Sequence, residues 1–308
     1  MAQINKHIQL LLSIFLLTGC ATSSNINKFK AFSIAGAEYQ KAISDVTDAA
    51  ILSNIDSTSY EQINLRDTLL ANHNTKSPLP ADDINRLTEA INNSNQGVLN
   101  STEAFLALKK QTALLTDYFS ALGALANYDG ASGLTDATNE TVVTLEGFIP
   151  SLKQATIGDA SVNGFVTQAV PIAVANFQSS ALEKELKAHA TTIDNQLRLQ
   201  SLLLEDIAKQ LKSDKRLISN INLDQKIVLP FTSTKDLPKN WVKDRREILL
   251  STVDTATAAD QAVTLSKKMR TSFISLVEGR LEVSDLNLVA DDLSTLAELI
   301  ETVRGSKT

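Results

Sequence analysis

SALEKELKAHATTIDNQLRLQSLLLEDIAKQLKSDKRLISNI, residues 180–221, decides the fold. Leu186, Ala190, Ile193, Leu197, Leu204, Ile207, Leu211, Ile218 and Ile221 fall on two positions of a seven-residue repeat, so one apolar stripe runs the length of a helix. Charged residues fill the remaining faces. At 1.5 Å per residue this is a rod of about 65–70 Å, far longer than an ordinary globular helix. Gln200 and Asp214 interrupt the stripe. Polar residues at a seam can fix helix register, but the preferred expectation is that a slight rotation turns both outward to water.

The same periodicity appears on either side. Upstream, Phe32, Gly36, Tyr39, Ile43, Val46, Ala50 and Ser53 recur at intervals of three and four, and the phase continues through Tyr60 to Asp67. Residues 72–80, with Pro78 and Pro80, break that helix and open the next. A second helix is expected over 81–127, its buried face formed by Ile84, Leu87, Ile91, Val98, Phe105, Leu108, Leu115, Phe119, Leu122 and Leu125. Gly97 is a place for a bend within it. Residues 129–133 close it. In 134–178 charges thin out while Gly147, Pro150, Gly158, Gly164 and Pro171 accumulate, which predicts short helices joined by tight turns.

Downstream, 229–239 reads as a linker because of Pro230 and Pro238. Residues 241–276 form another helix, buried through Ile248, Thr252, Ala259, Ala262, Met269 and Phe273. Gly279 marks a turn. Ser284 and Asp285 are expected to cap a last helix carrying Leu286, Val289, Leu293, Leu296, Ile300 and Val303. The fold class is therefore all-α: a single elongated antiparallel bundle of long helices over residues 26–305, with a less regular short-helix middle at 134–178. The 5% aromatic content and 43% hydrophobic content suit closely packed helices. No repeat of 20–50 residues points to a solenoid.

The first twenty-five residues have a different character. Lys6 and His7 precede an apolar run, residues 8–17, broken only by Gln9 and Ser13 and followed by Thr18 and Gly19. Ten residues cannot cross a bilayer, which takes about 20, and the layout is that of a secretory signal. Leu17-Thr18-Gly19-Cys20 resembles the lipobox of bacterial lipoproteins, a likeness confined to the first twenty or so residues. That resemblance implies cleavage between Gly19 and Cys20 and acylation of Cys20, leaving residues 1–19 as signal peptide and 20–25 as a lipidated tether. Ala21-Thr22-Ser23 lacks the Asp that resembles an inner-membrane retention signal, which implies the periplasmic face of the outer membrane in a two-membrane host. Loss of residues 1–19 removes Lys6 and no acid, taking the formal charge from −6 to −7. Cys20 is the only cysteine, so the body must be held by its core without a disulfide.

Reactive constellations are sparse. After the leader, only His73 and His189 remain, in different elements, and each reads as a solvated side chain. Asp82-Asp83 suits a helix start, and Asp291-Asp292 a solvated face; neighbours 100° apart on a helix, such as Glu205-Asp206, do not make a catalytic pair. GDASVNG, residues 158–164, lacks the alternating ligands of a calcium loop and reads as a turn. Nucleophile-elbow, phosphate-loop, dinucleotide and HExxH patterns are missing from the sequence. The expectation is a non-enzymatic protein without metal or cofactor, and the acidic charge speaks against nucleic acid.

Two roles follow. In the first, the lipid anchor holds the rod to the membrane and the rod contacts an envelope protein partner. Lys28, Phe29, Lys30 and Phe32 lie just past the tether and form a candidate membrane-surface contact, although the preferred reading puts both rings in the bundle core. In the second, the chain is a ligand-binding or sensor bundle with an apolar pocket lined by Phe148, Phe165 and Phe177.

Overall fold

The computed structural model describes residues 24–72, 79–127, 138–147, 156–157, 160–161, 172–175, 180–233 and 236–305. Helix α1 (Ser24–Asn72) and helix α2 (Ala81–Asn127) form the first long hairpin. A short helix α3 follows at residues 138–147. Two two-residue strands, β1 (Thr156–Ile157) and β2 (Ala160–Ser161), pair antiparallel with Thr156 opposite Ser161. Helix α4 (Ser180–Leu223) passes through one π-helical stretch (Asp224–Val228) into α5 (Leu229–Ser233), and α6 (Trp241–Val277) and α7 (Val283–Gly305) complete the chain. The fold is the expected all-α bundle. The strand pair, by contrast, stands where only short helices and turns were expected.

Side-chain pairs give the register. Ser33 bonds to the Phe119 carbonyl, Asp48 accepts from Lys109 at 2.6 Å, and Gln62 reaches the Ala90 carbonyl, so numbers fall on α2 as they rise on α1. Asp194 with Arg270, Ser201 with Ser266 and Ser219 with Thr252 set α4 against α6 in the same antiparallel way. Gln40 with Gln200 and Ser57 with Asp214 run upward together, which makes α1 and α4 parallel neighbours. The end of α2 and the start of α4 therefore both lie at the end where α1 began, and α3 is clamped there. Thr138 donates to Glu185, the Leu145 carbonyl accepts from Gln196 at 2.9 Å, and Thr192 donates to Glu146.

One continuous core occupies this lower part. Phe29, Phe32, Tyr39 and Ile43 of α1 meet Phe105, Leu115, Tyr118 and Phe119 of α2, Leu186 to Leu211 of α4, and Met269, Phe273 and Leu276 of α6. Phe32 and Phe119 stand edge to face at 5.5 Å, a geometry that contributes beyond simple burial. Two glycines let α1 and α2 approach. A Cβ at Gly36 would lie 2.7 Å from the Phe119 ring, and one at Gly123 would lie 2.7 Å from Ser33 Cβ.

The local ends depart from expectation in two places. The helix does not stop at Leu229: the wide π turn precedes Pro230, where a regular helix would suffer both a lost N–H and a ring clash with the preceding turn. The Trp241 indole then donates to the Ile227 carbonyl at 3.0 Å, fastening the start of α6 to that turn. At α7 the cap is Glu282 rather than Ser284. Asp285, three residues on, accepts from the Glu282 amide at 3.1 Å in the manner of a capping box. Gly279, at φ +74, makes the α6–α7 turn, as expected of it.

Candidate functional site at the two ends of the bundle

Gly19 and Cys20 lie outside the described residues. Helix α1 starts at Ser24, two residues earlier than its periodicity alone gives, so the span from Cys20 to the first helical residue is at most about 14 Å. Anything attached at Cys20 is therefore close to the lower end of the bundle. Around that end, Phe29 and Phe32 are 1% and 0% exposed. This corrects the membrane-surface set: the two rings belong to the core, which leaves them nothing to offer a bilayer. Lys28 pairs with Glu282 at 3.8 Å and is mostly covered, while Lys30 is exposed.

Just above the base a polar layer crosses the core. Gln40 and Gln200 exchange amide hydrogen bonds in both directions, at 3.2 and 2.7 Å, and Gln111 donates to Gln196 at 2.7 Å. Both positions that were expected to turn outward are instead buried, Gln200 completely and Asp214 to within 6%. The reason is the neighbour. Gln40 on the parallel helix α1 supplies a matching amide to Gln200, and Gln210 donates to Asp214 Oδ1 at 2.7 Å beside Ser57, although Asp214 Oδ2 is buried without a hydrogen-bond partner. Burial pushes the Asp214 carboxyl up to about 6, with Ser57 and Gln210 opposing and Glu61 assisting.

At the foot of α4, Glu185 is 1% exposed and accepts from Thr138. Burial raises its pKa, while His189 and the Thr138 hydroxyl hold it down. Tyr118, wholly buried beside it, is raised by burial and by the Glu185 charge. His189 is not simply solvated: its Nε2 lies 2.6 Å from Asn139 Oδ1 and helps to hold α3. These groups explain how α3 is clasped. Among the described residues no three His, Cys, Asp or Glu side chains converge as metal ligands, and no helix is long and apolar enough to span a membrane. His73 lies outside the described residues, as do Phe148, Phe165 and Phe177 and most of 158–164; Ala160 and Ser161 of that stretch form β2.

The opposite end is built differently. Above Ser57 on α1, only Leu69 is buried, and on α2 nothing from Ile84 to Glu103 is. Ile84 and Ile91, expected in the core, are 47% and 43% exposed. With 100° per residue, Ile84, Ile91, Leu99 and Leu106 share one face of α2, while Leu52 and Ile63 share one of α1. Because the two helices are antiparallel and each stripe lies on the same rotational side of the contact line, both stripes emerge on one side of the hairpin, away from α4. The second hairpin has its own strip. Val242, Leu249 and Val253 align on α6, with Leu250 beside them and Phe231 stacked near Trp241 at 5.5 Å. Of nineteen exposed large apolar side chains among the described residues, fifteen lie in these two arms, from Leu52 to Leu106 and from Val228 to Val253. Neither Ile91 nor Val242 looks unusual in sequence, because the periodicity that identifies a helix face does not say whether another helix covers it.

Comparison of the chain with family models, with curated proteins and with solved structures finds no match.

Proposed function

We propose that this protein is a non-enzymatic lipoprotein of the bacterial cell envelope, anchored through acylated Cys20 at the base of the bundle and engaging protein through its upper arms. The observation that carries the second half is the concentration of exposed apolar side chains at the end opposite the tether, since monomeric proteins rarely leave such strips uncovered. The first half rests on the short apolar leader ending in Leu17-Thr18-Gly19-Cys20. Two or three acyl chains on one residue hold a protein to a bilayer durably, whereas a single chain binds reversibly. A helical rod of about 70 Å would then carry its apolar arms well clear of the headgroups. The absence of Asp after Cys20 favours the outer membrane, facing the periplasm.

Intact-mass and N-terminal peptide analysis of the protein purified from membranes tests the anchor. The expected product begins at Cys20 and carries fatty-acyl mass. A mature chain that begins elsewhere, or a free thiol on Cys20, contradicts it.

A further inference from the structure

We infer that the two upper arms are complementary faces of one self-assembly contact: the α1–α2 arm of one copy docks on the α4–α6 arm of the next, so that the rods line up side by side in a row. The inference rests on the reading of the upper arms as a protein-binding end, and it names the partner as a second copy of this chain.

The first observation is charge. Residues 52–72 and 81–103 hold seven acids, among them Asp67, Glu89 and Glu103, against Arg66 and Arg86. The described residues 215–253 hold seven bases against four acids. On α6 the apolar line of Val242, Leu249 and Val253 is accompanied by Arg246, with Arg245 on one flank and Lys243 on the other, all three exposed. Each arm therefore pairs an exposed apolar strip with a charge opposite to that of the other arm, the combination that steers and fixes a specific contact.

The second observation is height. Ser57 meets Asp214, Ser219 meets Thr252, and Gln62 meets Ala90, so residues 242–253 stand level with the upper part of the α1–α2 arm and overlap its strip at Ile63, Ile84 and Ile91. The third is direction. The α1–α2 strip faces away from α4, whereas the α6 strip faces away from α1, the helix that Tyr39 and Gly36 bring against Ser266 and Met269 on the other side of α6. Faces that differ from each other, overlap in height and point to opposite sides cannot close on themselves in a twofold pair. They join copies of the same polarity in an open row. Rods tethered by their bases to one membrane share that polarity, and confinement raises their effective concentration.

Sedimentation of the chain from Ala21 onward, which contains every described element, tests this without the anchor. Wild type should show mass rising with concentration through dimer and higher species by about 100 μM, a weak contact by the usual scale, and the rise should fade in high salt. Ile91→Glu with Leu99→Glu breaks one face, and Val242→Glu with Leu249→Glu breaks the other. All four positions are exposed, and circular dichroism checks that both variants keep their helix content. Each variant alone should be a monomer, while their mixture, with one intact face each, should form a heterodimer that grows no further. A wild-type chain that stays monomeric at that concentration overturns the inference, even if another protein is later found on these arms. So does a mixture that remains monomeric, or a variant that still assembles alone. None of these results touches the mass test of Cys20.

Discussion

At its base the bundle surrounds each apolar side chain with several helices; at its tip it is two hairpins whose outer faces meet only water. Phe105 and Ile91 stand two heptads apart on α2, in the same stripe, yet one is fully buried and the other 43% exposed. What separates them is the company at each level. Around Phe105 and Phe119, α1, α4 and α6 close the core, whereas above Ser57 each helix has one close partner. A helix stripe records which way residues face. How deep they sit depends on the number of neighbours, a tertiary property.

The contrast is sharpest under truncation. Phe119→Ala removes a ring that touches Phe32, Tyr118 and Phe273 and should cost about 3–5 kcal/mol, while Leu99→Ala should lie within about 0.5 kcal/mol of wild type. Denaturant midpoints at constant m-value check both. Comparable losses at the two sites would mean that the tip is packed as well as the base.

Glycine gives a second comparison in which the sign itself changes. A methyl at Gly123 drives into Ser33 and separates α1 from α2, so Gly123→Ala should lose about 1–3 kcal/mol despite the better helix propensity of alanine. Gly97 has nothing within 4 Å of its added Cβ, and Gly97→Ala should gain about 0.5–1 kcal/mol. Thermal melts of the two variants should move in opposite directions.

A smaller effect marks the boundary between the regions. Asp214 sits where α1 and α4 last meet closely, and its pKa is raised to about 6 from an ordinary value of 3.8. The folded chain thus binds this proton more tightly than the unfolded chain does. Stability from this group is complete below about pH 4 and is lost as pH rises through 6. Asp214→Asn, which stays neutral, should be more stable than wild type by about 1 kcal/mol at pH 7, allowing for solvent screening, with no difference near pH 4. Urea titrations at the two pH values measure it.

Much of this was legible in the sequence. The long helices, the break near Pro78, the Gly279 turn and the core positions from Phe32 to Ala50 follow from periodicity and from Gly and Pro chemistry. Gln200 was misread because a glutamine in a stripe looks like a misfit until Gln40, 160 positions away, is known to face it. The helix through Pro230 was hidden because a π turn leaves no pattern in residue types. The tip was invisible as a site for the reason already given: its apolar residues keep the same period as the core.

Amide hydrogen exchange on dilute, monomeric chain tests the division between the two ends most directly. Amides of 104–126, 186–211 and 258–277 should exchange at least about a hundredfold more slowly than those of 58–72, 84–100 and 241–254, since local opening is easiest where few buried contacts resist it. Equal protection along the whole of α1, α2 and α6 would contradict the account.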